Sequence, residues 1–543
     1  MLKKIWHKLE TTVAGGAIII AAASVIAKIV GLIRDRLLFS TFGAGDITDV
    51  YWAAFKIPDL IFNILVLGAL SAAFIPVFIE YWQKEKDKPF FENEAWKIAN
   101  SMINIITLVL LGLGVLAFIF ATPLVSKIVA PGFSPEKQAQ TVSLTRIMLI
   151  AIIFFGISNV IGGILNSFRR FVAYSIAPIM YNLGIILGIV VFYKIWGIQG
   201  LAWGVVIGAL FHLLIQVPSL FKTGYRYQWI WHWQNLGVKK IGKLILPRTL
   251  GLAISQINFL IITVIASTLA SGSVSIFNAA FNLQSFPISV FGVSLAIAAF
   301  PVMSEAFAEK DTNKFVVQFS VTIRRVLFLI IPTSVLILLL RAQIVRVILG
   351  AGQFSWEATY LTAQALGLFS LSLFAQSLIH TLARSFYAHQ NTKTPVKISL
   401  VALIINIIGS IVLTRYFHLG VMGLALSFTI SSLVNMILLV IILRLKFGDL
   451  DDRKIIVSTF KIVILSALTG LVVWTMLRLV AMGVNMHTFV GVFLQGIVSG
   501  LTGIIFYLVV AVLFKFDEVK IISNWIRRTK SQIVNNNSNN KEI

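Results

Sequence analysis

The chain has 543 residues, of which 58% are hydrophobic and only 12% charged, and its mean hydropathy is +0.92. Soluble domains run about 45–50% apolar and about 25% charged, so a soluble globular protein is excluded. The formal charge is +24, and the lack of cysteine rules out a disulfide, a thiolate nucleophile or a cysteine metal site.

Apolar runs of about 20 residues, the length that crosses hydrocarbon as a helix, recur along nearly the whole chain. They are continuous rather than alternating, which argues against a β-barrel. The chain reads as an all-α polytopic membrane protein with about fourteen transmembrane helices. The predicted spans are 12–40, 47–82, 96–122, 140–166, 171–193, 200–221, 241–270, 274–307, 315–341, 357–386, 396–415, 421–444, 456–480 and 489–514. Lys3, Lys4 and Lys8 precede GGAIIIAAAS. The run continues beyond the roughly 7–15 residues of a signal core, so an uncleaved first span is expected.

With the N-terminus placed in the cytoplasm, about 32 Lys and Arg fall on the inside and about 9 outside, and the bias never inverts along the chain. Basic residues gather in cytoplasmic loops, so both termini are expected in the cytoplasm. The same bias accounts for the positive charge without nucleic acid. The seven histidines are scattered at no metal-site spacing.

An internal repeat is visible. AAF at Ala53–Phe55 and AAFIPV ending near Val77 are echoed by AAF at Ala279–Phe281 and AAFPV ending at Val302, about 225 residues on. LNSF at Leu165–Phe168 is echoed by LARSF at Leu382–Phe386, and Pro178 by Pro395. The copies are six spans apart and so run parallel. The predicted organisation is two six-helix lobes in parallel repeat plus a C-terminal helix pair: 1–222, an inter-lobe linker 223–240, 241–445, the pair 446–520, and a cytoplasmic tail 521–543. The linker carries YRYQWIWHW, read as an interfacial aromatic belt or a short extended connection. The tail, ending IVNNNSNNKEI, is low-complexity and reads as disordered.

Charge inside the apolar runs concentrates in 28–76, with Lys28, Arg34, Asp35, Arg36, Asp46, Asp49, Lys56 and Asp59. A charge at the centre of a membrane helix costs about 2.5–3.5 kcal/mol on insertion scales, and such residues face a protein interior or a watery cavity. Lys28 and Asp35 are seven residues apart and share a helix face, with Arg34 about 120° round from Lys28. Asp46 and Asp59, near span starts, read equally as helix caps or cargo contacts. Arg169 and Arg170 read as positive-inside anchors.

In these stretches the sequence resembles the MurJ (MviN) lipid II flippases of the multidrug/oligosaccharidyl-lipid/polysaccharide exporter superfamily. The matching motifs include VGLIRD at Val30–Asp35, FGAGDITD at Phe42–Asp49, AFKIPDL at Ala54–Leu60, GALSAAFIPVF at Gly68–Phe78, GILNSFRRFVAYSIAPIMYN at Gly163–Asn182 and TPVK at Thr394–Lys397. The resemblance implies fourteen spans, a central cavity, a tail groove formed by the last pair, and no enzymatic activity. The implied cargo is the undecaprenyl-pyrophosphate-linked peptidoglycan precursor, moved from the inner to the outer leaflet of the bacterial plasma membrane.

It also implies the site. Lys28, Arg34, Asp35, Asp49 and Lys56 match family positions, with Asp49 and Lys56 expected to pair across the start of the second span. The family commonly has an arginine where this chain has Phe62 and Asn63, and another where it has Asn282. Asn63, Asn282 and Gln284 are therefore the expected neutral donors. Asn406 matches a sodium-ligand position, with Ser410 where a carboxylate would strengthen the site; no other cofactor is implied. Protein partners from cell-wall synthesis would assemble on the basic face. The missing arginines keep open export of another lipid-linked oligosaccharide or amphipathic molecule by the same fold. A non-transporting scaffold for envelope synthesis is the alternative of a different class.

Overall fold

The computed structural model describes residues 13–67 and 70–519. Lys3, Lys4, Lys8 and the low-complexity tail lie outside the described residues. Among those residues all regular structure is helical. Ten helices are long and apolar enough to cross a membrane, or up to eleven if the pair Trp356–Ser370 and Leu373–Ala388, bent by 47° at its break, is one span. The other three predicted spans fall on Val13–Phe42, on the broken run from Asp46 to Lys84, and on Leu236–Ser267, which includes the apolar stretch Ala253–Ser267. The first two carry Lys28, Arg34, Asp35, Asp49, Lys56 and Asp59, and Leu236–Ser267 opens with Lys239, Lys240 and Lys243.

The chain folds as two compact units. The first comprises the described residues up to Ala279 with Ile348–Leu361 and Leu403–Ser427. Here Pro135–Ser167 packs against Glu94–Ile119, Leu70–Lys84 and Ile198–Leu214. The helices Phe171–Trp196 and Gln199–Phe221 meet at glycines. A Cβ on Gly184, Gly188 or Gly204 would overlap backbone of the facing helix. With lipid tails as apolar as leucine, such close approach is what drives helix association in a membrane. Leu236–Ser267 packs in this unit too, against Lys56–Phe62 and Leu70–Lys84.

Within the predicted linker 223–240, residues 225–232 have no regular structure and dock on Glu94–Ile119, while the chain is helical from Leu236 on. Asn104 donates to the carbonyls of Gln228 and Ile230, and Tyr225 and Tyr227 donate to Asn100 and Asn104 at 2.6 and 2.7 Å. A buried polar stripe on that helix thus finds partners in the unpaired backbone of residues 225–232.

The second unit holds Ala280–Val347, Thr362–Ala402 and the described residues from Phe428 on. Its core gathers Phe319, Ile323, Phe328, Phe386 and Tyr507. The last two helices, Asp452–Gly483 and Phe489–Leu513, are pinned to Thr312–Ile348: Tyr507 donates to the Phe328 carbonyl at 2.8 Å, Gln343 donates to Gln495, and buried Glu518 accepts from Arg324 and Ser458.

Candidate functional site

The first helix, Val13–Phe42, carries Lys28, Arg34 and Asp35. Asp35 is 5% exposed and accepts from Arg34 Nε at 2.9 Å and Nη2 at 2.6 Å. Arg34 Nη1 also donates to Asn182 Oδ1 at 3.0 Å, and Asn182 is held by donating to the Pro178 carbonyl. A buried arginine needs such partners, because the cost of removing its charge from water is not recovered without them. Arg34 is thereby fixed and its charge balanced within its own helix.

Asp49 and Lys56 do not form the expected pair. Asp49, 1% exposed, accepts from the backbone N–H of Gly272 at 2.7 Å and of Ser275 at 2.9 Å, from the Ser275 hydroxyl at 2.7 Å, and from Lys137 at 3.4 Å. The two backbone donors open the helix Ser273–Pro287, whose first N–H groups have no partner of their own. Asp49 is a helix cap supplied from another part of the chain, and its carboxylate also complements the positive end of that helix. Lys56 instead reaches Asn278 Oδ1 at 3.5 Å. Asp46, at the first turn of Asp46–Ala54, accepts from Lys137 at 2.8 Å and from Ser271. These hydrogen bonds, Lys137 first, hold its carboxyl below the usual aspartate range.

Asp59 and Asn63 line one cavity of about 260 Å³ with Phe62, Phe155, Pro178, Tyr181 and His212. The helix around them breaks into π geometry at Asn63–Leu67, a distortion often found at functional sites. His212 Nδ1 lies 2.7 Å from Ser158 Oγ, and Gln216 donates to the same hydroxyl at 2.6 Å. Sequence reasoning missed His212, Asn182 and Lys137. His212 and Asn182 look like isolated polar residues in apolar runs, and Lys137 looks like an outer-loop lysine.

Asn282 and Gln284 belong to the second unit. Gln284 is fully buried and accepts from Gln376 at 3.1 Å. Its Nε2 has no hydrogen-bond partner among the described residues.

Asn406 and Ser410 come together in the first unit, both 1% exposed. Asn406 donates to Asn258 at 2.7 Å, accepts from Ser410 at 3.4 Å, and its carbonyl accepts from Ser427 at 2.7 Å. The set is neutral and mutually satisfied, which is the pattern of interhelical hydrogen bonding. Its oxygens are those of amides, hydroxyls and a backbone carbonyl, with no carboxylate among these contacts.

Residues 38–494 match the family model described as "Lipid II flippase MurJ". The chain is 34% identical over 424 residues to a probable lipid II flippase MurJ of Buchnera aphidicola subsp. Acyrthosiphon pisum, covering 77% of this chain and 81% of that protein. It is 29% identical to the Vibrio cholerae protein of the same description, covering 84% and 88%. Among solved structures it is similar to "Lipid II flippase MurJ, inward closed conformation", with a TM-score of 0.75 at 25% identity, covering 92% of this chain and all of that one. A multidrug MATE family transporter of the MOP superfamily shares the fold, with a TM-score of 0.65 at 16% identity over 80% of this chain.

Proposed function

This chain belongs to the lipid II flippase MurJ family, and we propose that it carries lipid II from the inner to the outer leaflet by alternating access. It is a transporter rather than an enzyme, a multi-pass protein of the bacterial inner membrane. The observation that carries the reading is the family match across residues 38–494, joined to the internal charge of the first unit.

The cargo's pyrophosphate cannot cross hydrocarbon unaided, since an unpaired charge in a low dielectric is prohibitively costly. In our reading Lys28 and Lys56 supply ammonium groups to it, Arg34 presents its remaining N–H donors from a geometry fixed by Asp35 and Asn182, and Asn63 adds a neutral donor. Asp49 is a positioning residue: it ties the second predicted span to the start of the eighth. The moving parts are the lobes 1–222 and 241–445, with 446–520 as the groove for the lipid tail. Both termini face the cytoplasm, and cell-wall synthesis proteins dock on that basic face. An inside-negative potential assists outward movement of an anion by about 2.3 kcal/mol per charge per 100 mV.

The test is depletion of the protein in cells, read with a leaflet-specific lipid II assay. Loss of lipid II from the outer leaflet is expected, and unchanged outward appearance would reject the proposal. The second reading, a different lipid-linked oligosaccharide, is favoured by one feature: Phe62 and Asn63 stand where relatives commonly carry arginine. Identifying the lipid that co-purifies with the protein separates the two.

A further inference from the structure

At the end of the second predicted span lies a pocket distinct from the intramembrane cavity. Its volume is about 310 Å³, and its lining includes Phe78, Trp82, Gln83, Asn166, Phe168 and Arg169. Small-molecule sites start at about this size.

Local geometry explains why the pocket exists. The helix Pro135–Ser167 ends in a reverse turn in which Arg170 N–H donates to the Leu165 carbonyl at 2.8 Å and Arg169 N–H to Asn166 at 3.0 Å. The turn seats the Phe168 ring edge-on against Trp82, with centroids 4.9 Å apart, and stacks it on Trp96. Trp82 and Phe78 lie parallel. The floor is therefore a rigid aromatic cluster, and the polar groups stand around it. Arg169 itself has φ 57°, the left-handed region that normally goes to glycine at such a turn. The position thus holds an arginine where glycine would be the easier fit.

We propose that this pocket binds a phosphorylated lipid headgroup of net negative charge. The Arg169 guanidinium supplies a planar pair of donors that phosphate oxygens accept. The side-chain amides of Gln83 and Asn166 supply neutral donors beside it, and the aromatic floor takes the apolar part of the headgroup. Trp and basic residues at a span end sit at headgroup depth, whichever way round the protein lies. Nearby, Lys84 and Lys240 both pair with Glu80, which leaves that cluster one net positive charge. Two sources share this chemistry: bulk anionic phospholipid, and a polyprenyl pyrophosphate arriving as cargo. The bulk-lipid source stands independently of the flippase reading, because none of the pocket residues belongs to the intramembrane site, whereas the cargo source rests on that reading.

The experiment uses the purified full-length protein and native mass spectrometry with three added probes: phosphatidylglycerol, undecaprenyl pyrophosphate and phosphatidylcholine. Wild type should retain one of the two anionic lipids. The Asn166→Ala/Arg169→Ala double variant should need about tenfold more of it, as for loss of a charge-assisted hydrogen bond. Lys88→Ala, a basic loop residue outside the pocket, should bind like wild type. Preference for phosphatidylglycerol assigns the pocket to bulk lipid, and preference for undecaprenyl pyrophosphate assigns it to the cargo. Equal retention by wild type and the double variant overturns the proposal, as does binding of phosphatidylcholine as strongly as the anionic lipids. Should the double variant fail to fold, Gln83→Ala at an exposed position gives the same comparison with a smaller expected loss.

Discussion

Arg34 and Asp35 illustrate how one residue's environment decides its role. Their side chains are 19% and 7% exposed, and the ion pair is 2.6 Å long. Removing one partner of a buried pair leaves the other charge uncompensated, at about 3–5 kcal/mol, whereas replacing both with apolar residues is often neutral. Asp35→Ala should therefore lower the thermal unfolding midpoint in detergent far more than Arg34→Met/Asp35→Leu does. If the single and double variants melt alike, the pair is not coupled as the geometry says. Lys28→Ala, which removes an ammonium from the proposed cargo path, should abolish growth complementation. Arg170→Ala should support growth, because the exposed Arg170 guanidinium donates to the carbonyl of Lys222 and belongs to no proposed cargo contact. Lys28, Arg34 and Asp35 were legible in the sequence, since charge in an apolar run stands out. Asn182 was not, because 148 residues separate it from Arg34 and an asparagine in a helix has many ordinary uses.

At the scale of the element, the second predicted span caps the eighth. Asp49 satisfies the opening N–H groups of Ser273–Pro287, so Asp49→Ala leaves buried donors unmet. The expected loss of stability is about 1–3 kcal/mol, measured by chemical or thermal unfolding. Asp49→Asn should recover part of it, since an amide oxygen still accepts. The helix Leu373–Ala388 ends at a second such junction. His389 follows it, ringed by Phe307, Phe315 and Phe447 at centroid distances of 4.6, 4.4 and 4.1 Å, with Nδ1 2.8 Å from the Ser385 carbonyl. Burial among these rings, with Lys446 nearby, pulls its imidazole below the ordinary value. A base whose folded value is depressed is held neutral when folded, and the unfolded chain takes up the proton first. Its contribution is thus complete above the ordinary histidine range near pH 6.5 and is lost as pH falls through it. Wild type should lose more stability between pH 7.5 and 5.5 than His389→Phe, and equal losses would exclude the effect. The glycine contact between the fifth and sixth predicted spans was available in the sequence as G-x-x-x-G spacing at Gly184 and Gly188 and at Gly200, Gly204 and Gly208. Its meaning depended on knowing which helices face each other.

Across the whole molecule the repeat is written into the backbone as well as the sequence. The π-helical segments Asn63–Leu67 and Ile288–Val293 begin 225 residues apart, the same spacing that separates Pro76 from Pro301 inside their helices. Glycines of positive φ recur as Gly197 and Gly420, and as Gly224 and Gly448. The basic-residue bias predicts the topology: a fluorescent protein fused after Asp87 should fold and glow in the cytoplasm, and alkaline phosphatase fused after Ser134 should be active outside. The reverse pattern would invert the orientation proposed above.

Composition, hydropathy and repeat spacing determined by themselves that the chain is an all-helical membrane protein with an internal repeat, and that the charge inside its apolar runs concentrates in 28–76. These are properties of local segments, set by the cost of exposing polar groups to hydrocarbon, so they are readable one segment at a time. Only the tertiary structure decided that Asp49 caps a distant helix instead of pairing with Lys56, that Arg34 is held by Asp35 and Asn182, and that Asp59 and His212 line the same cavity. Each of those facts depends on which of several acceptors a donor meets first, and that is fixed by helix packing across the fold rather than by anything in the neighbouring residues.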